Sequence, residues 1–287
     1  MAERLNLEAV SYSYPLPGRE EAPALVDVDL DVEPGEVLCV AGPNGSGKST
    51  LAQVCAGLLS PGSGSIRYAG EDVEGRAGLR ELRRRVGLLF QSPEDQIFAD
   101  TVERDIAFGP RNHGLSGAGL KERVREAAAM AGLPLDEILE KSPFLLSEGE
   151  KRRVALAGVL ALNPEVLLLD EPFIGLDFEG RQHLSSSLER YRDERGASIM
   201  IVTHDLSHAW PLIDRFAIIS EGRLHCVEDR AGMVSGGTGL AELGMQLPQW
   251  GILAGELLER GVPLDDPADP GCLAAAMASY REARHGR

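Results

Sequence analysis

Asp170 and Glu171 stand side by side at the end of the aliphatic run Val166-Leu167-Leu168-Leu169. A desolvated carboxylate at the end of a buried strand must be paired or hold a cation. For Asp170 the natural partner is Mg²⁺, usually bound through water. Upstream lies a loop suited to phosphate, Gly42-Pro43-Asn44-Gly45-Ser46-Gly47-Lys48-Ser49-Thr50. Its glycines let successive backbone N–H groups face phosphate oxygens, and the helix N-terminus that follows adds positive potential. The flanks, Val37-Leu38-Cys39-Val40-Ala41 and Leu51-Ala52-Gln53-Val54-Cys55-Ala56, read as strand and helix, the context that gives such a pattern weight. Lys48 is then placed for the β- and γ-phosphates of a nucleotide and Ser49 for Mg²⁺.

Further polar residues sit at the ends of expected elements. Gln91 follows the apolar strand Val86 to Phe90, and Leu146-Ser147-Glu148-Gly149-Glu150 opens a basic helix. Gly175-Leu176-Asp177 comes shortly after the carboxylates, and Thr203-His204-Asp205 follows the strand Ser198 to Val202. Taken in this order, from about residue 5 to about 227, the motifs resemble the domain of ATP-binding cassette (ABC) ATPases, a P-loop NTPase fold. The resemblance implies hydrolysis of ATP to ADP and phosphate, with ATP and Mg²⁺ as the bound groups. It gives phosphate contacts to Gly42, Asn44, Gly45, Ser46, Gly47, Lys48, Ser49 and Thr50, and Mg²⁺ to Ser49, Gln91 and Asp170. Glu171 would be the general base for the attacking water. Gln91 would reach the metal and that water, and His204 would contact the γ-phosphate. Tyr14 stands where the family stacks an aromatic on adenine, worth ~1 kcal/mol, with Tyr12 as the alternative.

The same resemblance makes a dimer part of the chemistry. Ser147 and the backbone near Gly149 would serve ATP held by a second cassette, and Asp177 would cross the interface beside the catalytic carboxylate. This chain departs from the usual Leu-Ser-Gly-Gly-Gln at Glu148 and Glu150. A carboxylate at Glu148 close to a γ-phosphate would cost on the order of 1 to 4 kcal/mol unless it faces solvent or a cation. The helix dipole offsets part of that cost. The site built on this signature is therefore expected to be the weaker one of an asymmetric heterodimer.

The elements that must position these residues follow from periodicity. Alternating segments at Leu5 to Tyr12 and Leu25 to Val32 predict an antiparallel β layer. Helical periodicity dominates from Thr101 to Leu162, so a helical subdomain over about 92–162 is inserted between core strands. Core strands at Val166 to Asp170, Ser198 to Val202 and Phe216 to Ser220 alternate with helices around Glu179 to Glu194 and Leu206 to Leu212, which predicts a parallel sheet covered on both faces. The expected class is α/β: an ABC domain over 1–228 with a mixed β core, followed at 229–287 by a small extension, which family resemblance implies to be of the dimerisation type.

Composition narrows the partners. The 287 residues carry a net charge of −16, which argues against nucleic acid as the main ligand. The basic runs Arg80 to Arg85 and Lys151-Arg152-Arg153 read as solvated helix faces. No apolar run reaches the ~18 residues of a membrane span, and no signal-peptide core appears at the start, so the chain itself is expected to be cytosolic and to span nothing. Cys39, Cys55, Cys226 and Cys272 lack metal or redox spacing, and Cys39 and Cys55 read as small buried hydrophobes.

The segment Ser92-Pro93-Glu94-Asp95-Gln96-Ile97-Phe98, with Asp105-Ile106-Ala107-Phe108-Gly109, closely resembles the ATPases of energy-coupling factor (ECF) transporters, importers of vitamins and transition metals such as cobalt. Ala155 to Ala161 and, loosely, the tail at Gln246-Leu247-Pro248 and Leu257 to Pro263 are similar to the same family. The resemblance implies a peripheral place at the cytoplasmic face of the cell membrane, a second ABC ATPase subunit in a homo- or heterodimer, a transmembrane coupling subunit docking near Pro93, Glu94, Asp95 and Gln96, and a separate membrane component that binds the solute. Carboxylates there would take arginines of coupling helices through charge-assisted hydrogen bonds. The alternatives are the ATPase of a conventional ABC importer or exporter and, further off, a soluble ABC ATPase acting on nucleic acid or ribosomes.

Overall fold

The structure, a computed structural model, describes residues 4–15, 22–235, 240, 243, 245, 247–264 and 269–285. The strands are β1 (Leu5–Tyr14), β2 (Ala22–Val32), β3 (Val37–Ala41), β4 (Ser63–Tyr68), β5 (Glu71–Asp72), β6 (Val86–Leu89), β7 (Val166–Asp170), β8 (Ser198–Thr203), β9 (Arg215–Ser220) and β10 (Arg223–Asp229). They form two sheets. A four-stranded antiparallel sheet runs β2-β1-β4-β5, and a six-stranded sheet runs β10-β9-β3-β8-β7-β6. In the larger sheet β9, β3, β8, β7 and β6 are parallel and β10 pairs antiparallel at the edge. The class is α/β with a mixed core and an antiparallel layer.

Strands covered on both faces need apolar residues at every position. β3 and β7 are buried throughout, and so is β8. The two-residue period sends alternate side chains to opposite faces. Leu38, Val40, Leu168, Met200 and Val202 join the antiparallel layer and α1 (Lys48–Cys55) in one cluster. Cys39, Leu167, Leu169, Ile199 and Ile201 face the other way, into the larger cluster.

The neighbouring strands β6 and β7 are linked through a helical block: α3 (Val102–Asn112), α4 (Gly117–Met130), α5 (Leu135–Ile138) and α6 (Glu148–Leu160). α2 (Gly75–Arg85) precedes β6, while α7 (Phe178–Arg195) and α8 (Leu206–Ala209) flank β8. Pro211 turns the end of the expected Leu206 to Leu212 helix into a 3-10 turn at Trp210–Leu212.

Beyond β10 come α9 (Arg230–Ser235), α10 (Gln249–Glu259) and α11 (Pro270–His285). Their apolar residues Met233, Ala254, Leu257 and Leu273 belong to the same cluster as the core sheet rather than to one of their own. Trp210 is fully buried and meets Trp250 of α10 edge-on at 4.9 Å between ring centroids.

Candidate active site

The phosphate loop joins β3 to α1, and close packing explains its glycines. Gly47 has φ +103°, and a Cβ there would stand 2.4 Å from the Ala24 carbonyl oxygen. A Cβ on Gly42 would stand 2.0 Å from the Ile219 oxygen. Any side chain at either place would push the loop off the sheet. Lys48 is buried, and its Nζ donates to the Gly42 and Pro43 carbonyls, both at 2.8 Å. Burial lowers its pKa, while the carboxylates of Glu171 and Asp170 act in the opposite direction.

One cleft of about 310 Å³ gathers most of the expected residues. Asn44, Gly45, Gly47, Lys48, Ser49 and Thr50 line it from the loop, and Gln91, Asp170, Glu171 and His204 from the ends of the parallel strands. Gly42 and Ser46 support the loop outside the lining. Tyr14 reaches the cleft's edge, its hydroxyl 3.1 Å from Thr50 Oγ1, and keeps 39% of its surface exposed. Tyr12 is its edge-on neighbour at 5.1 Å and packs partly into the core.

Asp170 ends β7 with 6% exposure, and burial raises its pKa against the pull of a Ser49 hydrogen bond and Lys48. A buried carboxylate facing a hydroxyl beside a phosphate loop has the donor chemistry for a hard divalent cation. Glu171 follows with φ +50°, a left-handed conformation that is strained for a residue other than glycine. Its amide donates to Val202 O at 2.8 Å. Its Oε2 accepts from Thr203 Oγ1 at 2.8 Å, and its Oε1 accepts from the His204 amide at 2.9 Å and meets His204 Nδ1 at 2.5 Å. Thr203 is therefore a direct partner of Glu171 to which sequence reasoning gave no role. Only its adjacency to His204 could have suggested it.

Ser147, Gly149 and Asp177 lie outside this cleft. Ser147 N-caps α6 in a capping box. Its Oγ accepts from the Glu150 amide at 3.4 Å, while Glu150 Oε2 accepts from the Ser147 amide at 2.9 Å and hydroxyl at 2.7 Å. These bonds hold the Glu150 carboxyl below the usual range and give the fifth-position glutamate a local purpose. Glu148 is 78% exposed at its side chain and pairs with Lys151 at 3.1 Å. Asp177 N-caps α7 by accepting from the Gly180 amide at 2.8 Å.

The reading of Lys151-Arg152-Arg153 as a solvated face needs correction. Arg152 turns inward, donating from Nη2 to Glu171 O at 3.1 Å and from Nη1 to Ile174 O, and Arg153 is only partly exposed. Arg85 differs: it pairs with Glu165 at 2.5 Å while its side chain stays 47% exposed, on the surface face expected for Arg80 to Arg85.

The family model for ABC transporters matches residues 25–174, more than half of the chain. The chain belongs to the ABC transporter family. As an ABC cassette it binds ATP and is an ATPase. It is 38% identical over 261 residues to the energy-coupling factor transporter ATP-binding protein EcfA2 of Caldanaerobacter subterraneus subsp. tengcongensis, covering 91% of each chain. The structure of cbiO1 from Clostridium perfringens, part of the ABC transporter complex cbiONQ, superposes with a TM-score of 0.74 at 33% identity, covering 88% of this cassette and 99% of that chain. The ABC cassette MJ0796, solved as a dimer bound to ADP and Pi, superposes with a TM-score of 0.71 at 28% identity, covering 78% of this cassette and 98% of that chain.

Proposed function

We propose that this cassette is the ATP-hydrolysing subunit of an energy-coupling factor importer, driving uptake of a vitamin or a transition-metal ion such as cobalt from the cytoplasmic face of a membrane. The extent of its likeness to EcfA2 carries this reading. A match of 261 residues is too long to be confined to 1–228 and reaches into the tail.

In the hydrolysis itself, Lys48 and the loop amides bind the β- and γ-phosphates, and Tyr14 stacks on the base. Ser49, Asp170 and Gln91 would hold Mg²⁺, which supplies positive charge to the transferring phosphoryl group. Glu171 takes the proton of the attacking water. Its oxygens already accept from Thr203 and His204, and a carboxylate has lone pairs left for a water. With Nδ1 directed at Glu171, His204 leaves Nε2 for the phosphate side. Ser147, Gly149 and Asp177, which do not line the cleft of their own chain, act on ATP bound by a second cassette. The assembly is therefore a dimer.

The membrane partner docks in a groove of about 330 Å³ between the core and the helical block, lined by Leu58, Phe90, Gln96, Phe98, Asp105 and Phe108 among others. The side chains of Pro93 and Glu94 lie outside the described residues, although the 3-10 turn Pro93–Gln96 is described. Gln96 braces the groove floor by donating to Leu88 O and accepting from the Phe90 amide, each at 3.2 Å. Asp105 is occupied by the amides of Phe98 and Ala99 at 2.9 and 2.8 Å. Phe98 and Phe108 stack edge-on at 4.6 Å yet remain 56% and 47% exposed, an apolar pair suited to a helix from a membrane subunit. The double substitution Phe98→Asp, Phe108→Asp is expected to abolish recovery with the membrane fraction while leaving ATP binding intact. Undiminished membrane recovery would refute this docking site.

A further inference from the structure

We propose that Arg152 is a positioning residue that couples the signature helix to the general base of its own chain. The proposal rests on the reading of Glu171 as that base. Arg152 lies five positions beyond Ser147 on α6, an element of the helical block. Its guanidinium crosses to the core and donates to two carbonyls, Glu171 O at 3.1 Å and Ile174 O. Those carbonyls are the two ends of one turn, in which the Ile174 amide also donates to Glu171 O at 3.4 Å. The next residue, Gly175, has φ +73° and leads directly to Asp177. A planar fork with several fixed donors suits this double clamp, which a point-charge ammonium cannot reproduce in full.

Glu171 needs such a clamp. Its left-handed backbone persists only where the surroundings over-determine it. Its amide and carboxylate are held from β8 and the residues just after it, by Val202, Thr203 and His204. Among the described residues, the hydrogen bond to its carbonyl from Arg152 is the one that comes from the helical block. A displacement of Ser147 at the head of α6 therefore reaches the peptide that aims the catalytic carboxylate. Through this link, engagement of the signature by the partner's nucleotide adjusts the base of the chain that carries the signature.

The test compares ATP turnover by the full chain in its assembled dimer for the parent, Arg152→Ala, Arg152→Lys and Glu171→Gln. Misplacing a reacting group by about 1 Å can cost about 100-fold. Arg152→Ala is therefore expected to lower kcat by about 10- to 100-fold with KM for ATP changed less than about threefold. Arg152→Lys should retain an intermediate kcat at the parent KM. A parent-like kcat in Arg152→Ala beside an inactive Glu171→Gln would overturn this proposal alone. Near-parent turnover in Glu171→Gln would overturn the base assignment and this proposal with it. A rise in KM at unchanged kcat would make Arg152 a nucleotide-binding residue and equally contradict the coupling. If Arg152→Ala does not fold, Arg152→Lys decides: intermediate kcat at the parent KM supports the clamp, and parent kcat refutes it.

Discussion

Glu171 accepts from Thr203 and His204 through its carboxylate and from Arg152 through its carbonyl, so the proposed base is fixed from both ends. Glu171→Gln keeps an acceptor for the His204 amide, and the Thr203 hydroxyl can rotate to accept from the new amide. The variant should fold and bind ATP. Loss of a general base typically costs ~100-fold or more, so steady-state phosphate release should fall by at least that factor while ATP remains bound; turnover within a few-fold of the parent would remove Glu171 from the role. Glu148 is a second residue-scale case. Its exposure and its 3.1 Å pair with Lys151 relieve much of the repulsion that the sequence implies. Exposed pairs and charges contribute about 0 to 1 kcal/mol. Glu148→Gly should therefore lower the ATP concentration for half-maximal turnover by no more than about fivefold. A change of 100-fold would mean that the carboxylate faces phosphate unscreened. The phosphate loop and Asp170-Glu171 were legible because residue types at fixed spacing between a strand and a helix carry the chemistry. Arg152 was not, because its partners are backbone carbonyls 19 and 22 positions away, which leave no mark on spacing.

At the scale of elements, alternation exposed the antiparallel layer and continuous apolar runs exposed the parallel strands, since each pattern reflects how many faces are covered. The antiparallel edge strand β10 and the docking of α10 through Trp250 onto Trp210 depend on long-range contacts that no local period records. The connection between β2 and β3 carries a charge cluster of the same kind. Glu36 is buried there, accepts from the Glu33 amide at 2.7 Å and lies 3.3 Å from Arg215 of β9. Burial pushes its pKa from 4.5 up to about 6, against the pull of the Glu33 amide and Arg215. Through that window the native state holds a proton that the unfolded chain has released. Stability is therefore lost as pH rises toward 6, and the loss is complete above it. Glu36→Gln removes this titration, so the difference in thermal midpoint, variant minus parent, should grow from pH 5.5 to pH 7.5. A difference that stays constant or shrinks would contradict the burial of an ionising Glu36.

On the scale of the whole molecule, three surfaces divide the work proposed for this cassette. The nucleotide cleft holds the hydrolytic residues. In that proposal Ser147, Gly149 and Asp177 face a second cassette, and the Phe98–Phe108 groove faces a membrane subunit. Among the described residues no helix is long and apolar enough to cross a membrane; the ECF reading assigns transport of the solute to separate membrane proteins. The solute was not legible in the sequence, because in this reading its recognition belongs to one of those proteins. The tail was legible only as short helical stretches, since its burial against the main core depends on Met233, Ala254 and Leu257 meeting residues far away in the chain. The most direct measurement is affinity purification of the tagged chain from detergent-solubilised native membranes, with every co-purifying protein identified by mass spectrometry. The ECF reading predicts a second cassette and two integral membrane proteins, one of them with arginines in cytoplasmic helices. Recovery with ribosomes or DNA-repair proteins, or with no membrane protein at all, would contradict it.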